Sequence, residues 1–318
     1  MQEVFAAFLD HTDDQVGRLI EFLETQDLLD DTLIVFLSDN GASQEGGKHG
    51  TTNELAYFNL MPLQVDDMIQ HLDEIGGPNY YNNYPWGWSQ VGNTPLRFYK
   101  QNTYEGGIRD PLIMHWPNGI DDAGGIRDHY HHVIDLMPTI LDIVGVESPE
   151  NFQGVDQQPV EGTSMRYTFP ANAVDTPTTR PKQYYEMMGH RAIWSDGWKA
   201  VTMHRKGVPF EDEEWALYDT SEDFSECHDL SASEPEKLKE MIDLWWDEAE
   251  SFNVLPLDDR GNELFFMRRE DRLPLSKPQR FLKNTPHLER FKIPDVRNRS
   301  FEIGAKVALD RDSEGVLV

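Results

Sequence analysis

The stretch LIVFLSDNG, Leu33 to Gly41, is the starting point for interpreting this chain. An apolar run, Leu33 to Leu37, is followed after one serine by Asp39 and Asn40. A short continuous apolar run indicates a strand covered on both faces, as in a parallel sheet. Ligands of open α/β sheets bind beyond the carboxyl ends of the strands. Asp39 and Asn40 carry hard oxygen donors suited to Ca²⁺ or Mg²⁺, although Asp-Asn-Gly is also good turn chemistry.

The segments on either side of this stretch complete the pattern of an α/β domain. Apolar residues recur at helical spacing over residues 2–25, which predicts one amphipathic helix. PLIMHW, Pro111 to Trp116, predicts a second strand. Asp135 is placed to cap a helix that runs to Val144 and ends at Gly145. Helix, strand, long loop, strand and helix together predict an α/β fold with a largely parallel sheet.

The composition divides the chain into four parts. Residues 1–147 form the predicted α/β domain, and the stretch 148–182, rich in Pro, Gly, Thr and Gln, is the predicted linker. Residues 183–252 are predicted to form a small antiparallel α+β subdomain. The last part, 253–318, is an extension that leads toward a β-rich region, with a strand predicted over Phe301–Leu309.

The small subdomain has the clearest hairpin signal in the sequence. HRAIW and WKAVTM flank Ser195-Asp196-Gly197, a combination typical of a tight turn between paired strands. A third short strand is predicted over Trp215–Tyr218. Glu236–Phe252 has its apolar residues on one side and predicts a helix that packs against this sheet.

The charge and cysteine content exclude several classes of protein. Lysine and arginine number 28 against 57 aspartate and glutamate residues, and the formal net charge is −29. This excess argues against binding to nucleic acid or to anionic membranes. The single cysteine, Cys227, excludes an intrachain disulfide and a multi-cysteine metal site. No apolar run reaches the roughly 18 residues of a membrane span, so we expect a soluble protein.

A second cluster of polar residues, KQNTYEGGIRDPLIMHWP, runs from Lys100 to Pro117. Lys100 offers a compact cation for an oxyanion, although a solvated surface lysine is the alternative. Gly106 and Gly107 would let the backbone approach a ligand closely. Glu105 and Arg109 are four residues apart, a spacing that favours a salt bridge.

Taken together, these motifs resemble the C-terminal half of a sulfatase catalytic domain, in the alkaline-phosphatase-like superfamily. The resemblance is to the large bacterial arylsulfatases. It lies in the order D-N-G after a strand, then K-x-x-T-x-E-G-G-I-R, then a strand ending in W-P, then D-x-x-P-T. HHVIDLMPTILDIVGV and LYDTSEDFSECHDLS support it. Tyr104 and Asp110 depart from the residues that the family often carries at these positions.

The resemblance implies calcium-dependent hydrolysis of sulfate esters with a formylglycine nucleophile. It implies that Asp39 and Asn40 are ligands of the Ca²⁺ and that Lys100 contacts the sulfate of the substrate. Fixed cations around oxygens that remain charged throughout the reaction are what sulfuryl transfer requires. The leaving group, aryl or glycan, stays open, as does the choice between bacterial periplasm and cytoplasm.

In the family, the nucleophile motif C/S-x-P-x-R lies far upstream of the helix predicted here over residues 2–25, and no such motif precedes Asp39 in this sequence. Its letters recur only in SKPQR, Ser276 to Arg280, within the extension 253–318. Cys227 lacks the following proline and arginine and is interpreted as a small residue in a turn. We therefore expect an inactive fragment that a complementing N-terminal segment would complete, with further calcium ligands. Two alternatives remain: a phosphate or phosphonate ester hydrolase of the same superfamily, and a separately encoded non-catalytic or split subunit.

Overall fold

A computed structural model describes residues 1–59, 61, 63–261, 278–282, 285, 288, 293–294, 296 and 300–307. Met1–Asp259 form one compact unit and Arg260–Val318 a second. The helices of the first unit are α1 (Gln2–Thr25), α2 (Glu54–Phe58), α3 (Val65–Ile69), α4 (Trp86–Asn93), α5 (Glu105–Ile108), α6 (Leu136–Val144) and α7 (Pro235–Ser251). Its strands are β1 (Ile34–Leu37), β2 (Leu112–His115), β3 (Asn151–Phe152), β4 (Val155–Asp156), β5 (Lys182–Met187), β6 (His190–Ser195), β7 (Trp198–Thr202) and β8 (Ala216–Asp219).

Helix α1 confirms the prediction for residues 2–25. All of α1 is described, and it contains no buried residue. Its apolar stripe is covered only in part within the described chain, where the ring of Phe5 meets that of Tyr84 edge-on at 5.0 Å. None of the described helices has both the length and the apolar character needed to cross a membrane.

The sheet around β1 differs from the expected one. Strands β1 and β2 lie where they were predicted, but they pair antiparallel, with Ile34 opposite His115 and Leu37 opposite Leu112. Every sheet in the described residues is antiparallel, so the class is mixed α/β and a largely parallel sheet is not seen. The reason is that β2 returns alongside β1 in the reverse direction, which needs no crossover helix.

The expectation that β1 is buried on both faces was wrong. Phe36 and Leu37 are exposed. Within the described residues β1 pairs with β2 alone, so nothing there forms the two covering layers that a central strand of a parallel sheet has.

A four-stranded antiparallel sheet of order β5-β6-β7-β8 makes the centre of the second half. The predicted hairpin is β6–β7, and its turn places Asp196 at φ 50° and Gly197 at φ 83°. Left-handed φ values at both turn residues are typical of a tight hairpin and favour Asp-Gly. Strand β8 confirms the third predicted strand, whereas β5, which pairs with β6, was not predicted.

Helix α7 packs on this sheet and confirms the helix predicted over Glu236–Phe252. Its Met241 and Trp245 have no exposed surface, and they meet Ile193 and Leu217 of the sheet in one apolar cluster. The indole N–H of Trp245 donates to the carbonyl of Tyr185 at 3.0 Å. This cluster is the main core of the chain.

Two predictions at element boundaries need correction. Asp135 directly precedes α6, and Gly145 ends it at φ 67° as predicted, but the Asp135 carboxylate does not cap the helix. It accepts instead from the backbone N–H groups of His132 (2.9 Å) and Thr163 (2.8 Å), and so ties two loops together. Residues 301–307, the described part of the strand predicted over Phe301–Leu309, form no strand, while 308 and 309 lie outside the described residues. A strand needs a paired neighbour to persist.

Candidate functional site

Residues 38–42, which we call the metal loop, follow directly after β1. The hydroxyl of Ser38 donates to the carbonyl of Asn40 at 3.0 Å, and the side-chain amide of Asn40 donates to the carbonyl of Gly41 at 3.0 Å. The Asn40 nitrogen is thereby used within the loop. Asp39 is exposed, so its carboxylate is accessible to a cation.

The β1–β2 register brings a second carboxylate to Asp39. Leu37 pairs with Leu112, and continuing this antiparallel register by two residues sets Asp39 opposite Asp110. The pKa of Asp110 is raised to about 6, first by burial and then by the charge of Asp39. Asp110 is one of the two residues, with Tyr104, at which the sequence departs from the family pattern, and it stands beside the first candidate metal ligand.

Residues 97–107, which we call the lysine loop, are joined to the metal loop through the backbone. The N–H of Lys100 donates to the carbonyl of Ala42 at 3.1 Å, and the N–H of Gly41 donates to the carbonyl of Gly107 at 3.2 Å. The two sequence motifs that were singled out separately therefore form one surface.

Lys100 has a charged partner in this structure. Its ammonium lies 3.0 Å from Oε2 of Glu45, and its side chain is 28% exposed. Glu45 in turn accepts from the Ser43 hydroxyl at 3.0 Å and from the Gln101 amide at 3.5 Å. Lys100 is thus a half-buried cation held by a fixed carboxylate and differs from a freely solvated surface lysine.

The glycine pair lies at the junction of the loops. A Cβ at Gly41 would lie 1.8 Å from the carbonyl oxygen of Gly106. A Cβ at Gly106 would lie 2.2 Å from the carbonyl of Phe98, and one at Gly107 would lie 2.0 Å from that of Asn102. Real Cβ atoms cannot approach a carbonyl so closely, so the glycines are needed where three backbone segments meet.

Glu105 has a stronger partner than the one its spacing predicted. Arg109 lies 3.8 Å away, whereas the ammonium of Lys199 on β7 lies 2.7 Å from Glu105 and 2.8 Å from Glu226. Lys199 has no exposed surface. Burial alone would lower the pKa of Lys199, but the two carboxylates outweigh it and hold the pKa above its usual value. This buried triad fixes the end of the lysine loop to the four-stranded sheet.

The donor set suits a cation of the calcium or magnesium class but does not enclose one. Asp39, Asn40 and Asp110 offer carboxylate and amide oxygens, which such ions prefer, while Ca²⁺ takes 6–8 oxygen ligands. In the described part of the chain, no cluster of three or more His, Cys, Asp or Glu residues could hold a metal. Cys227 is exposed in a turn where the Asp223 carboxylate accepts its N–H, as expected for a structural residue.

Glu45, Asp110 and Lys199 were not identified from the sequence as parts of the site. Register continuation from the two predicted strands could have found Asp110, had the pair been taken as antiparallel. Lys199 lies 94 residues from Glu105 along the chain, and no spacing rule connects residues at that distance.

Two family models match the sequence. The Sulfatase model matches residues 2–146, and the model described as N-sulphoglucosamine sulphohydrolase, C-terminal, matches residues 96–251. The two matches overlap over residues 96–146, which include the lysine loop, and together they span residues 2–251 of the first unit.

Individual proteins are similar over much of this chain. An uncharacterized sulfatase of Schizosaccharomyces pombe is 33% identical over 261 residues, which cover 81% of this chain and 45% of that protein. An arylsulfatase of Klebsiella aerogenes is 27% identical over 172 residues, covering 54% of this chain and 35% of that protein. The crystal structure of Ps i-CgsB matches with a TM-score of 0.48 and 26% identity, over 78% of this chain and 42% of that one. The chain therefore spans less than half the length of these relatives.

Proposed function

Because the chain belongs to the sulfatase family, we propose that it supplies the metal loop and the lysine loop of a sulfuric ester hydrolase. One observation carries the proposal. The backbone bonds from Lys100 to Ala42 and from Gly41 to Gly107 hold the two loops against each other. A cation and a set of hard oxygen donors thus share one surface, which is the arrangement that binding a sulfate ester beside a metal requires.

We assign Asp39 and Asn40 as ligands of a Ca²⁺. The cation, when bound, would polarise the sulfate ester and hold it in place. The exposed Asp39 carboxylate and the side-chain oxygen of Asn40 are suited to this ion. The Asp110 carboxylate lies opposite Asp39 in the continued register, and burial, followed by the charge of Asp39, raises the pKa of Asp110 to about 6.

Lys100 binds an oxygen of the substrate's sulfate and stabilises the charge that it carries in the transition state. Glu45, 3.0 Å from the ammonium, keeps Lys100 in one orientation before substrate arrives. A donor that is already oriented loses less free energy when it engages the transferring group. Sulfate and Glu45 then share the three N–H groups of the ammonium.

The formylglycine nucleophile and the remaining calcium ligands come from a complementing N-terminal segment that carries C/S-x-P-x-R. Support comes from the share of the relatives that this chain spans, 45% and 35%. The exposed apolar residues of α1 and β1 give such a segment a surface to pack on, and its strands would extend β1 into the largely parallel sheet. The divisions at 147, 182 and 252 are part of this proposal.

The test is to co-express the chain with such a segment and with a formylglycine-generating enzyme. Hydrolysis of 4-nitrophenyl sulfate and 4-nitrophenyl phosphate is then measured with Ca²⁺ and after its removal by EGTA. We expect the two polypeptides to co-purify, the sulfate to be the faster substrate, and activity to be lost without Ca²⁺. Asp39→Ala should weaken calcium activation about 10-fold or more because a charged ligand is removed.

The matched control is Asp66→Ala, which removes an exposed carboxylate from α3 and should leave calcium activation unchanged. Equal calcium activation of Asp39→Ala and the unaltered enzyme would remove Asp39 from the metal site. Faster turnover of the phosphate ester would favour the phosphohydrolase alternative. A folded chain that never associates with the segment would refute the proposed completion.

A further inference from the structure

The side chain of Asn93, the last residue of α4, makes three hydrogen bonds, and all three go to the metal and lysine loops. Its side-chain oxygen accepts from the N–H of Ala42 at 3.1 Å. Its side-chain nitrogen donates to the carbonyl of Phe98 at 2.9 Å and to that of Gly106 at 2.6 Å. Both donor protons of the carboxamide are therefore used together with its acceptor.

We propose that Asn93 is the positioning residue that fixes the metal loop relative to the lysine loop. The inference rests on the proposed function, since these loops carry Asp39, Asn40 and Lys100. The bond to Ala42 is what gives Asn93 this role. Ala42 receives Asn93 through its N–H, while its carbonyl accepts from the N–H of Lys100. One residue of the metal loop is thus held on one side by Asn93 and on the other by the lysine loop.

Only asparagine satisfies these three partners. Aspartate has the same shape but offers no donor, and its charge would face two carbonyl oxygens. Glutamine carries its amide one carbon further out, and serine has a single donor. The surrounding backbone cannot adjust to a different side chain, because Gly41, Gly106 and Gly107 already lie in van der Waals contact with neighbouring carbonyls.

The link is not a local helix cap. The bond to Ala42 spans 51 residues and that to Gly106 spans 13. The neighbouring Gln90 provides the contrast, because its side chain bonds to Leu96, just before the lysine loop, and to Phe98, within it. Gln90 therefore orders one loop, whereas Asn93 joins two.

The test is hydrogen exchange measured by mass spectrometry on the full chain, with neither metal nor substrate added. In Asn93→Ala we expect exchange to rise about 10-fold or more in both 38–47 and 97–107, because the tie between them is lost. Exchange in β6–β7, residues 190–202, should stay within about twofold of the unaltered chain. The matched variant Gln90→Ala should raise exchange in 97–107 and leave 38–47 as it was.

Asn93→Asp distinguishes a hydrogen-bonding role from general packing. Its ionised carboxylate cannot donate to Phe98 or Gly106, so both loops should exchange faster at pH 8. Below about pH 4, the ordinary pKa of an aspartate, protonation restores one donor, and exchange relative to the unaltered chain at the same pH should fall again. If Asn93 acted only through packing, exchange in Asn93→Asp would not fall again on protonation.

Unchanged exchange of 38–47 in Asn93→Ala would overturn the proposal, as would an equal rise in 190–202. Since no ligand takes part, a failure to bind Ca²⁺ or to hydrolyse sulfate esters leaves this readout untouched. Failure of the positioning role and failure of the proposed function are therefore distinguishable.

Discussion

Two regions of the molecule differ in how far they bury their apolar side chains. One is the four-stranded sheet with α7, and the other is the region of α1, β1 and β2. In the sheet region, Ile193, Leu217, Met241 and Trp245 have no exposed surface. The exposed large apolar side chains of α1 are Phe5, Phe8, Leu9, Leu19 and Phe22. The sheet region thus has a core of its own, while the region that carries the metal loop leaves a surface that a further polypeptide segment could cover.

This difference indicates that the core that stabilises the chain and the candidate site residues lie in different parts of the molecule. The free energy of unfolding of this chain should depend on the sheet region, because apolar burial is the largest favourable term. The candidate ligands and Lys100 lie outside the apolar cluster of that region. The buried triad of Lys199, Glu105 and Glu226 joins the two regions.

The largest effect on stability is expected from replacing Trp245, the central tryptophan of α7. Trp245→Ala leaves a large cavity and removes the bond to Tyr185, so we expect a loss of about 3–5 kcal/mol in the free energy of unfolding. Urea unfolding followed by far-UV circular dichroism measures it. Trp88→Ala, at a half-exposed tryptophan, is the control and should cost less than about 1 kcal/mol. Equal losses would show that the core is not confined to the sheet region.

The next effect on the free energy of unfolding is expected at the buried triad that joins the two regions. Lys199→Met leaves two buried carboxylates without their cation, which should cost about 3–5 kcal/mol at pH 7. The loss should shrink as the pH falls and a carboxylate is protonated. Lys239→Met removes the exposed pair with Asp243 and should cost less than about 1 kcal/mol. Comparable losses at the two positions would mean that Lys199 does not anchor the lysine loop.

His132 gives a pH-dependent test of the packing against the sheet region. Its ring meets that of Tyr185 of β5 edge-on at 5.7 Å. Burial and then the charge of Arg180 lower its pKa to about 4, against an opposing effect of Asp135. Because the folded pKa lies below the unfolded value of about 6.5, stability is complete above pH 6.5 and falls toward pH 4. The shift corresponds to about 3 kcal/mol at most.

The measurement is the free energy of unfolding between pH 7 and pH 4 for the unaltered chain and for His132→Asn. The variant should lose less stability over this window, since asparagine does not titrate. Parallel curves would show that His132 is not the group responsible.

Lys100→Ala sharpens the contrast between stability and chemistry. Its pair with Glu45 is partly exposed, so the free energy of unfolding should change by less than about 1 kcal/mol. In the assembled enzyme, turnover of 4-nitrophenyl sulfate should fall about 10²-fold. Lys48→Ala, at an exposed lysine close to Glu45 in sequence, is the control for general charge. A turnover near that of the control would remove Lys100 from the site.

The sequence correctly predicted the elements whose structure depends on residues close together in the chain. Residues 2–25 match α1 because helical periodicity persists over many turns, and the β6–β7 turn follows from the φ values that Asp196 and Gly197 adopt. The direction of β2 relative to β1 was not predictable, since an apolar run carries no information on its neighbour. The three bonds of Asn93 exist only after distant loops meet, so no spacing in the sequence indicated them.

The smallest expected effect is also the most specific test of the exposed surface. Phe8 on α1 is 69% exposed, so Phe8→Ala should change the free energy of unfolding of this chain by less than about 0.5 kcal/mol. If the complementing segment packs on α1, the same substitution should weaken co-purification, because the apolar area it buries is lost. The comparison is with Val307→Ala, an exposed apolar residue in the second unit. If both variants associate equally well, α1 is not the surface that the segment covers.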